Sequence, residues 1–362
     1  MNLSTKIAGI ELKNPLMPAS GPLVGDYEKM MTLAGFGLGG MVTKTISIKG
    51  ADVPRPCIIA NKDSIMNAEL WSEYSLEYWL HNILPNLKRD LNIPLIISVG
   101  YTKEDMEKLI PVLDPYADGF EVSTHYVGKD LNVIGETVRT IRENTKKPFF
   151  MKVSPHMPDH VAFAKVAREN GASGIAAVNS LGPSMKIDIE NRRVLVGNSS
   201  GEVWTSGPAI KPVALAIVNK IKSAMPDFTV IGVGGVESAE DVVEFLLAGA
   251  DAVQMLSSAM LKGKDLYEKI VKDLPKALEK YNFSSVEEVR NTTLQKGNIK
   301  FNPDNPVIDN EKCVKCGLCE KVCPYFALKL KDEVNVDTTK CFGCGLCESK
   351  CPVGAISGVL KK

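Results

Sequence analysis

Eight of the nine cysteines in this 362-residue chain lie between Cys313 and Cys351. They form two copies of one pattern, C-x2-C-x2-C-x3-C-P: CVKCGLCEKVCP and CFGCGLCESKCP. A disulfide framework would spread its bridges over a fold, whereas thiols crowded into one short stretch point to metal. Thiolates are soft ligands, and a two-residue spacing lets three sulfurs wrap one group in a tight loop. Structural zinc would instead use paired C-x2-C arms separated by a longer loop. The stretch is poor in apolar residues, so a domain built there needs its metal for stability. The ninth cysteine, Cys57, stands alone and reads as structural.

Both runs resemble those of bacterial two-cluster ferredoxins, in which the fourth cysteine of each run crosses to the other cluster. On that pattern Cys313, Cys316, Cys319 and Cys351 hold one [4Fe–4S] cluster. Cys341, Cys344, Cys347 and Cys323 hold the second. The domain spans residues 306–362. The polar stretch before it, rich in Asn and Pro, reads as a linker over 282–305.

Residues 1–281 are different. Apolar runs alternate with amphipathic stretches: Pro15–Ser20, Gly40–Thr45, Pro94–Gly100, Gly119–Thr124, Pro148–Ser154, Gly174–Asn179, Thr229–Gly234 and Ala252–Ser257. Many runs are apolar at consecutive positions, which suits strands buried on both faces of a parallel sheet. Lys103–Leu113 and Ser238–Ala248 carry helical i, i+3, i+4 spacing. Eight such units predict an α/β fold, a TIM (β/α)8 barrel, with the small ferredoxin-like domain after it. With 44% apolar residues the chain can bury such a core. The intervals 45–94 and 179–229 are long, and read as insertions on the face where barrels carry chemistry. Polar residues mark the strand ends there: Ser20, Lys44, Ser123, Lys152, Asn179 and Ser257.

Lys plus Arg and Asp plus Glu both number 43, which argues against a broad nucleic-acid surface. No apolar run reaches the length of a membrane helix. The N-terminus lacks a signal peptide's apolar centre, so a cytoplasmic location is expected.

Two clusters make a wire, and a wire needs a cofactor that trades two electrons for one, as a flavin does. Gly232-Val233-Gly234-Gly235-Val236-Glu237, before a helix, reads as a barrel phosphate site completed by Ser257 and Ser258. Gly35, Gly37 and Gly40 fit G-x-G-x-x-G but end a helix instead of opening one, so they are not a dinucleotide fingerprint. NAD(P)H, if used, therefore binds another chain.

The barrel region resembles the FMN barrels of the dihydroorotate dehydrogenase and dihydropyrimidine dehydrogenase superfamily. The resemblance lies in NPLMPASG, VTKT, MNAELWSE, FFMKVSP, VNS, SGPAIKP and VGGVESAEDVVEFLLAGADAVQ. The cysteine region resembles the two-cluster part that follows that barrel in dihydropyrimidine dehydrogenase and its bacterial iron–sulfur subunit. The resemblance implies FMN against Ala19, Ser20 and Gly21, with Lys44 and Lys152 beside the ring system. It places the phosphate on Gly207, Gly234, Gly235, Leu256 and Ser257. Asn67, Glu69, Asn179 and Ser180 fall on positions that bind a pyrimidine. At strand four the family reads roughly ELNLSCPN, with an acid/base Cys; this chain reads EVSTHYVG. Ser123 replaces a substrate Asn and Tyr126 replaces the Cys. His125 or Tyr126 is then the expected proton donor, with His125 favoured for a side chain that ordinarily titrates near neutrality.

The expected reaction adds or removes two hydrogens across a C–C bond beside a carbonyl. A dihydropyrimidine dehydrogenase activity is put first and dihydroorotate dehydrogenase second. Reduction of a different cyclic enone or amide ranks third, and a non-catalytic electron-transfer adaptor is the competing reading from another class. The expected partner is an NAD(P)H-oxidising flavoprotein subunit or a ferredoxin, in a homo- or hetero-oligomer.

Overall fold

The computed structural model describes residues 1–100, 102–295, 297 and 304–360. Eight strands form one sheet: β1 Leu16–Pro18, β2 Met41–Val42, β3 Leu95–Val99, β4 Gly119–Ser123, β5 Phe149–Val153, β6 Gly174–Ala177, β7 Thr229–Val233 and β8 Ala252–Met255. Their spatial order is β1-β8-β7-β6-β5-β4-β3-β2, with every ladder parallel. Each strand falls inside a run expected from the sequence. The sheet curls into a nearly closed barrel whose seam lies between β1 and β2.

No ladder joins that seam among the described residues, but other bonds cross it. Gly39 N–H donates to Leu16 O at 2.9 Å. A Cβ on Gly39 would collide with the Asn14 carbonyl, so the approach needs glycine. Above it, the hydroxyls of Ser20 and Thr45 lie 3.0 Å apart, and those of Thr45 and Ser98 2.9 Å.

A helix follows each strand: α1 Tyr27–Ala34, α2 Leu84–Asp90, α3 Lys103–Leu113, α4 Asn132–Asn144, α5 His160–Glu169, α6 Lys211–Ala224, α7 Ala239–Leu247 and α8 Leu266–Lys280. In α3 the apolar stripe buries Met106, Leu109, Ile110 and Leu113, and Thr102 with Asp105 forms a capping box. Gly35 caps α1 and Gly40 precedes β2, in keeping with the rejected fingerprint. Inside the barrel, Met17, Val42, Ile96, Phe150, Ala176, Ile231 and Ala252 share one cluster with Ile7, Ile10 and Leu12. Those last three come from an N-terminal hairpin, Thr5–Ile7 paired with Ile10–Leu12, which closes one end of the barrel.

The two insertions meet. Ile58–Ala60 and Ile65–Asn67 come from the first, Leu181–Ser184 and Val203–Ser206 from the second. Together they make one antiparallel four-stranded sheet, in which Asn67 pairs with Trp204 across the join. Cys57 sits at the edge of this sheet, half-buried, and its carbonyl accepts from Ala68 N–H. Burial raises its thiol pKa, as suits a structural cysteine.

Contacts divide the chain into two units, Met1–Leu294 and Gln295–Lys362. The expected linker therefore starts too early. Ser285 caps a further helix, Val286–Asn291, whose Val286 and Val289 are buried against the barrel, while Arg290 pairs with Asp251. The cue is short: a Ser cap and two valines three apart, amid polar residues. Half of the remaining linker stretch, residues 296 and 298–303, lies outside the described residues.

In the second unit Val307–Ile308 pairs with Ile356–Ser357, and Leu328–Leu330 with Val334–Val336. Each cysteine run turns through a left-handed glycine, Gly317 or Gly345, into a five-residue helix. The two halves match closely. Ala327 N–H donates to Cys323 Sγ at 3.3 Å, and Ala355 N–H to Cys351 Sγ at 3.2 Å.

Candidate active site and cluster cavities

A cleft opens at the C-terminal ends of the strands. All barrel residues assigned by the resemblance to cofactor or substrate line it, from Ala19, Ser20 and Gly21 after β1 to Leu256 and Ser257 after β8. His125 lines it as well. Tyr126 does not: its hydroxyl donates to Asp130 O at 2.6 Å, outside the cleft.

At one end the lining is backbone. Gly207, Gly234 and Gly235 have φ of 96°, 123° and 76°, values that disfavour any side chain. A Cβ on Gly235 would lie 2.9 Å from Gly207 O. The helix expected to serve a phosphate here, α7, is capped by its own side chains: Ser238 accepts from Asp241 N–H, and Asp241 accepts from Glu237 N–H. The next helix, Ser257–Lys262, also starts at the cleft, and its first turn has no side-chain cap. Ser258 Oγ, buried beside it, has no hydrogen-bond partner. An orphaned hydroxyl, uncapped N–H groups and side-chain-free backbone fit a cofactor phosphate.

Further in, two lysines reach the cleft, each held by carboxylates. Lys152 Nζ donates to Glu121 Oε1 at 2.9 Å, and Gln254 Nε2 to Glu121 Oε2 at 2.8 Å. All three residues are buried, and Gln254 Oε1 remains unpartnered. Lys44 Nζ donates to Glu73 at 2.9 Å and Glu69 at 3.3 Å. Burial, the largest single influence, would raise Glu73's carboxyl pKa; the Lys44 bond, a backbone hydrogen bond and the charges of Lys44 and Lys29 together outweigh it and hold the pKa low. Glu121 and Gln254 were missed in the sequence, although an acid within an apolar strand is itself a cue.

The candidate substrate amides stand opposite. Asn179 Nδ2 donates to Ser123 Oγ at 3.3 Å and to His125 Nε2 at 3.1 Å. Asn67 Nδ2 donates to Trp204 O at 3.4 Å, and its Oδ1 accepts from Glu69 N–H. Ser180 N–H donates to Asn179 Oδ1. His125 has φ 52° and meets Trp71 edge-on at 5.0 Å. Because Asn179 Nδ2 can only donate, His125 Nε2 accepts, and the ring is neutral. Desolvation by the cleft walls, then the charge of Lys152, lowers its pKa to about 4. A lowered pKa leaves the ring neutral at pH 7, which weighs against the acid role expected for it.

Residues 2–278 match the model of the family described as dihydroorotate dehydrogenase. The chain belongs to the dihydroorotate dehydrogenase family. Residues 306–357 match a 4Fe-4S dicluster domain. A Geobacter strain M21 protein, named dihydroorotate dehydrogenase B (NAD(+)), catalytic subunit, is 33% identical over 301 residues. That match covers 80% of this chain and 97% of the relative. The Pyrococcus furiosus protein of the same name is 32% identical over 306 residues, covering 80% and 98%. One from Geotalea uraniireducens is 34% identical over 301 residues, covering 80% and 97%. Like the family, the chain is an oxidoreductase acting on CH–CH groups. These relatives correct the order of expectations: dihydroorotate dehydrogenase, not dihydropyrimidine dehydrogenase, is the supported branch.

The family member's second unit holds two small cavities. Cys313, Cys316, Cys319 and Cys351 line one; Cys323, Cys341, Cys344 and Cys347 line the other. Both sets are those given by the ferredoxin pattern. Among the described residues no three His, Cys, Asp or Glu side chains converge as around a single ion. Sulfurs set further apart around a cavity suit a cubane. Burial raises the pKa of the Cys319 and Cys347 thiols, a cost that coordinated iron reverses.

Proposed function

We propose that this chain is an FMN- and iron–sulfur-dependent oxidoreductase that interconverts the single and double C–C bond of a pyrimidine-like ring. Dihydroorotate, which the relatives' name prints, and its oxidised form orotate are the first pair to test. The observation that carries the reading is the single cleft. There a glycine–serine cradle, two lysines held by carboxylates and two asparagines converge at the mouth of the barrel.

FMN bound there would exchange hydride with a ring carbon and pass electrons on singly. Ser257, Ser258, Gly207, Gly234 and Gly235 would hold its phosphate; Ala19, Ser20, Gly21, Lys44 and Lys152 would line the ring system. Glu121 keeps Lys152 in place without leaving it as a bare buried charge. Asn67 and Asn179 offer the donors and acceptors that a cyclic imide needs. In ring oxidation His125 takes up the proton, since its neutral form is the one present at pH 7. Each of the two cysteine sets holds one [4Fe–4S] cluster. An NAD(P)H-oxidising flavoprotein or a ferredoxin exchanges electrons with them.

One observation favours the adaptor reading: β4 presents no cysteine, and its loop offers only a depressed imidazole. The test is anaerobic purification with iron, sulfide and flavin assays, followed by a screen of cyclic amides for flavin bleaching. The account expects one FMN and about eight irons per chain, with bleaching by at least one dihydro-amide. Zinc in place of iron, FAD in place of FMN, or a flavin that no amide bleaches would overturn it.

A further inference from the structure

Beyond the cleft lies a second, larger chamber of about 760 Å³. It shares Asn67, Glu69, Asn179 and His125 with the cleft, so one ligand can occupy both. Its volume falls in the range of sites for drug-sized molecules, far above what a bare pyrimidine fills. Its walls are Trp71 and Leu70 from the first insertion, Trp204 and Pro183 from the second, and Val127 after β4.

The walls are fixed by packing. A Cβ on Gly182 would meet Trp204 Cδ1 at 2.6 Å, so the indole lies directly on that glycine. Gly182 N–H donates to His156 Nε2 at 2.9 Å, tying the β5 loop to the second insertion. Trp71 meets His125 at its edge.

The charge pattern is one-sided. Among the described residues lining the chamber there is no Lys or Arg. Its two imidazoles accept hydrogen bonds through Nε2, so both are neutral. The remaining charged side chain is Glu69, which Lys44 bonds from the cleft side. A carboxylate placed here would leave water for a wall of indoles and one carboxylate, with no cation to receive it.

We infer that the substrate is a flat cyclic amide bearing an uncharged aromatic or apolar substituent, which the outer chamber holds between Trp71 and Trp204. The inference rests on the reading that the cleft acts on a pyrimidine-like ring; it narrows that class away from carboxylated rings, and so away from the dihydroorotate that the relatives' name prints.

The test is titration of the FMN-loaded, cluster-bearing protein with uracil, orotate, 5-benzyluracil and 6-benzyluracil, read by the visible difference spectrum of the flavin. At least one benzyl compound is expected to bind about tenfold or more tighter than uracil, and orotate no tighter than uracil. Trp204→Ala should narrow the gap between that benzyl compound and uracil, while Trp204→Phe should keep most of it. Orotate binding tightest, or neither benzyl compound exceeding uracil, overturns the inference while leaving the broader function intact. A flavin spectrum that none of the four ligands moves overturns both.

Discussion

His125 separates what a residue's type predicts from what its surroundings make of it. Its position at the end of β4 was legible, but its lowered pKa comes from cleft walls and Lys152, which only the fold assembles. The sign of its effect on stability follows. Between about pH 6.5 and pH 4 the unfolded chain binds more protons, so stability falls as pH falls through that window and levels off below it. The ring is also open to the chamber, where solvent screens the effect, so the slope is shallow. Thermal melts from pH 7 to pH 4 should fall more steeply in the parent than in His125→Asn, where the slope left by His160, another histidine with a lowered pKa, remains. Equal slopes would mean that His125 titrates normally. Ser258 gives a second test at this scale. Removing its orphaned hydroxyl in Ser258→Ala should leave the flavin-free protein at least as stable. It should weaken FMN binding by about tenfold, the order of one hydrogen bond to a charged group. Unchanged FMN affinity would place the phosphate elsewhere. Glu121, Gln254, Trp71 and Trp204 escaped the sequence reading. The first two sit inside apolar strands, and the tryptophans sit in insertions without periodicity.

The elements were more legible than their joins. Strands buried on both faces and helices with one apolar stripe are written in local periodicity, so all eight units were readable. The four-stranded sheet was not, because each half comes from a different insertion and pairing between them is set by tertiary contact. The helix Val286–Asn291 was lost inside a polar stretch for a similar reason: two valines are too few to show a stripe. Its packing predicts a measurable cost. Val286→Ala with Val289→Ala in the full-length chain should destabilise the barrel by about 2–4 kcal/mol. The melting temperature of the flavin-bearing unit should fall by several degrees, with the iron–sulfur absorption intact. A melt that does not move would return residues 282–294 to the role of linker.

At the scale of the molecule, composition and cysteine spacing already separated a barrel that performs chemistry from a small unit that holds metal. The two cysteine sets gather around two cavities as the ferredoxin pattern requires, because the interleaving is fixed by spacing within each run and by the near-symmetry between runs. No helix among the described residues is long and apolar enough to cross a membrane. Substrate identity was the least legible property, since it depends on the chamber that two insertions and the β4 loop build together. The central claim is that electrons taken from a ring in the barrel arrive at the clusters. Its most direct test is rapid-freeze electron paramagnetic resonance after anaerobic mixing of the oxidised protein with dihydroorotate, dihydrouracil or a benzyl-substituted dihydrouracil. With the substrate that bleaches the flavin, reduced [4Fe–4S] signals should appear as fast as the enzyme turns over. The same signals should be lost or diminished in Cys316→Ala and Cys344→Ala. Clusters that dithionite reduces but that stay silent with every dihydro-amide would contradict the account.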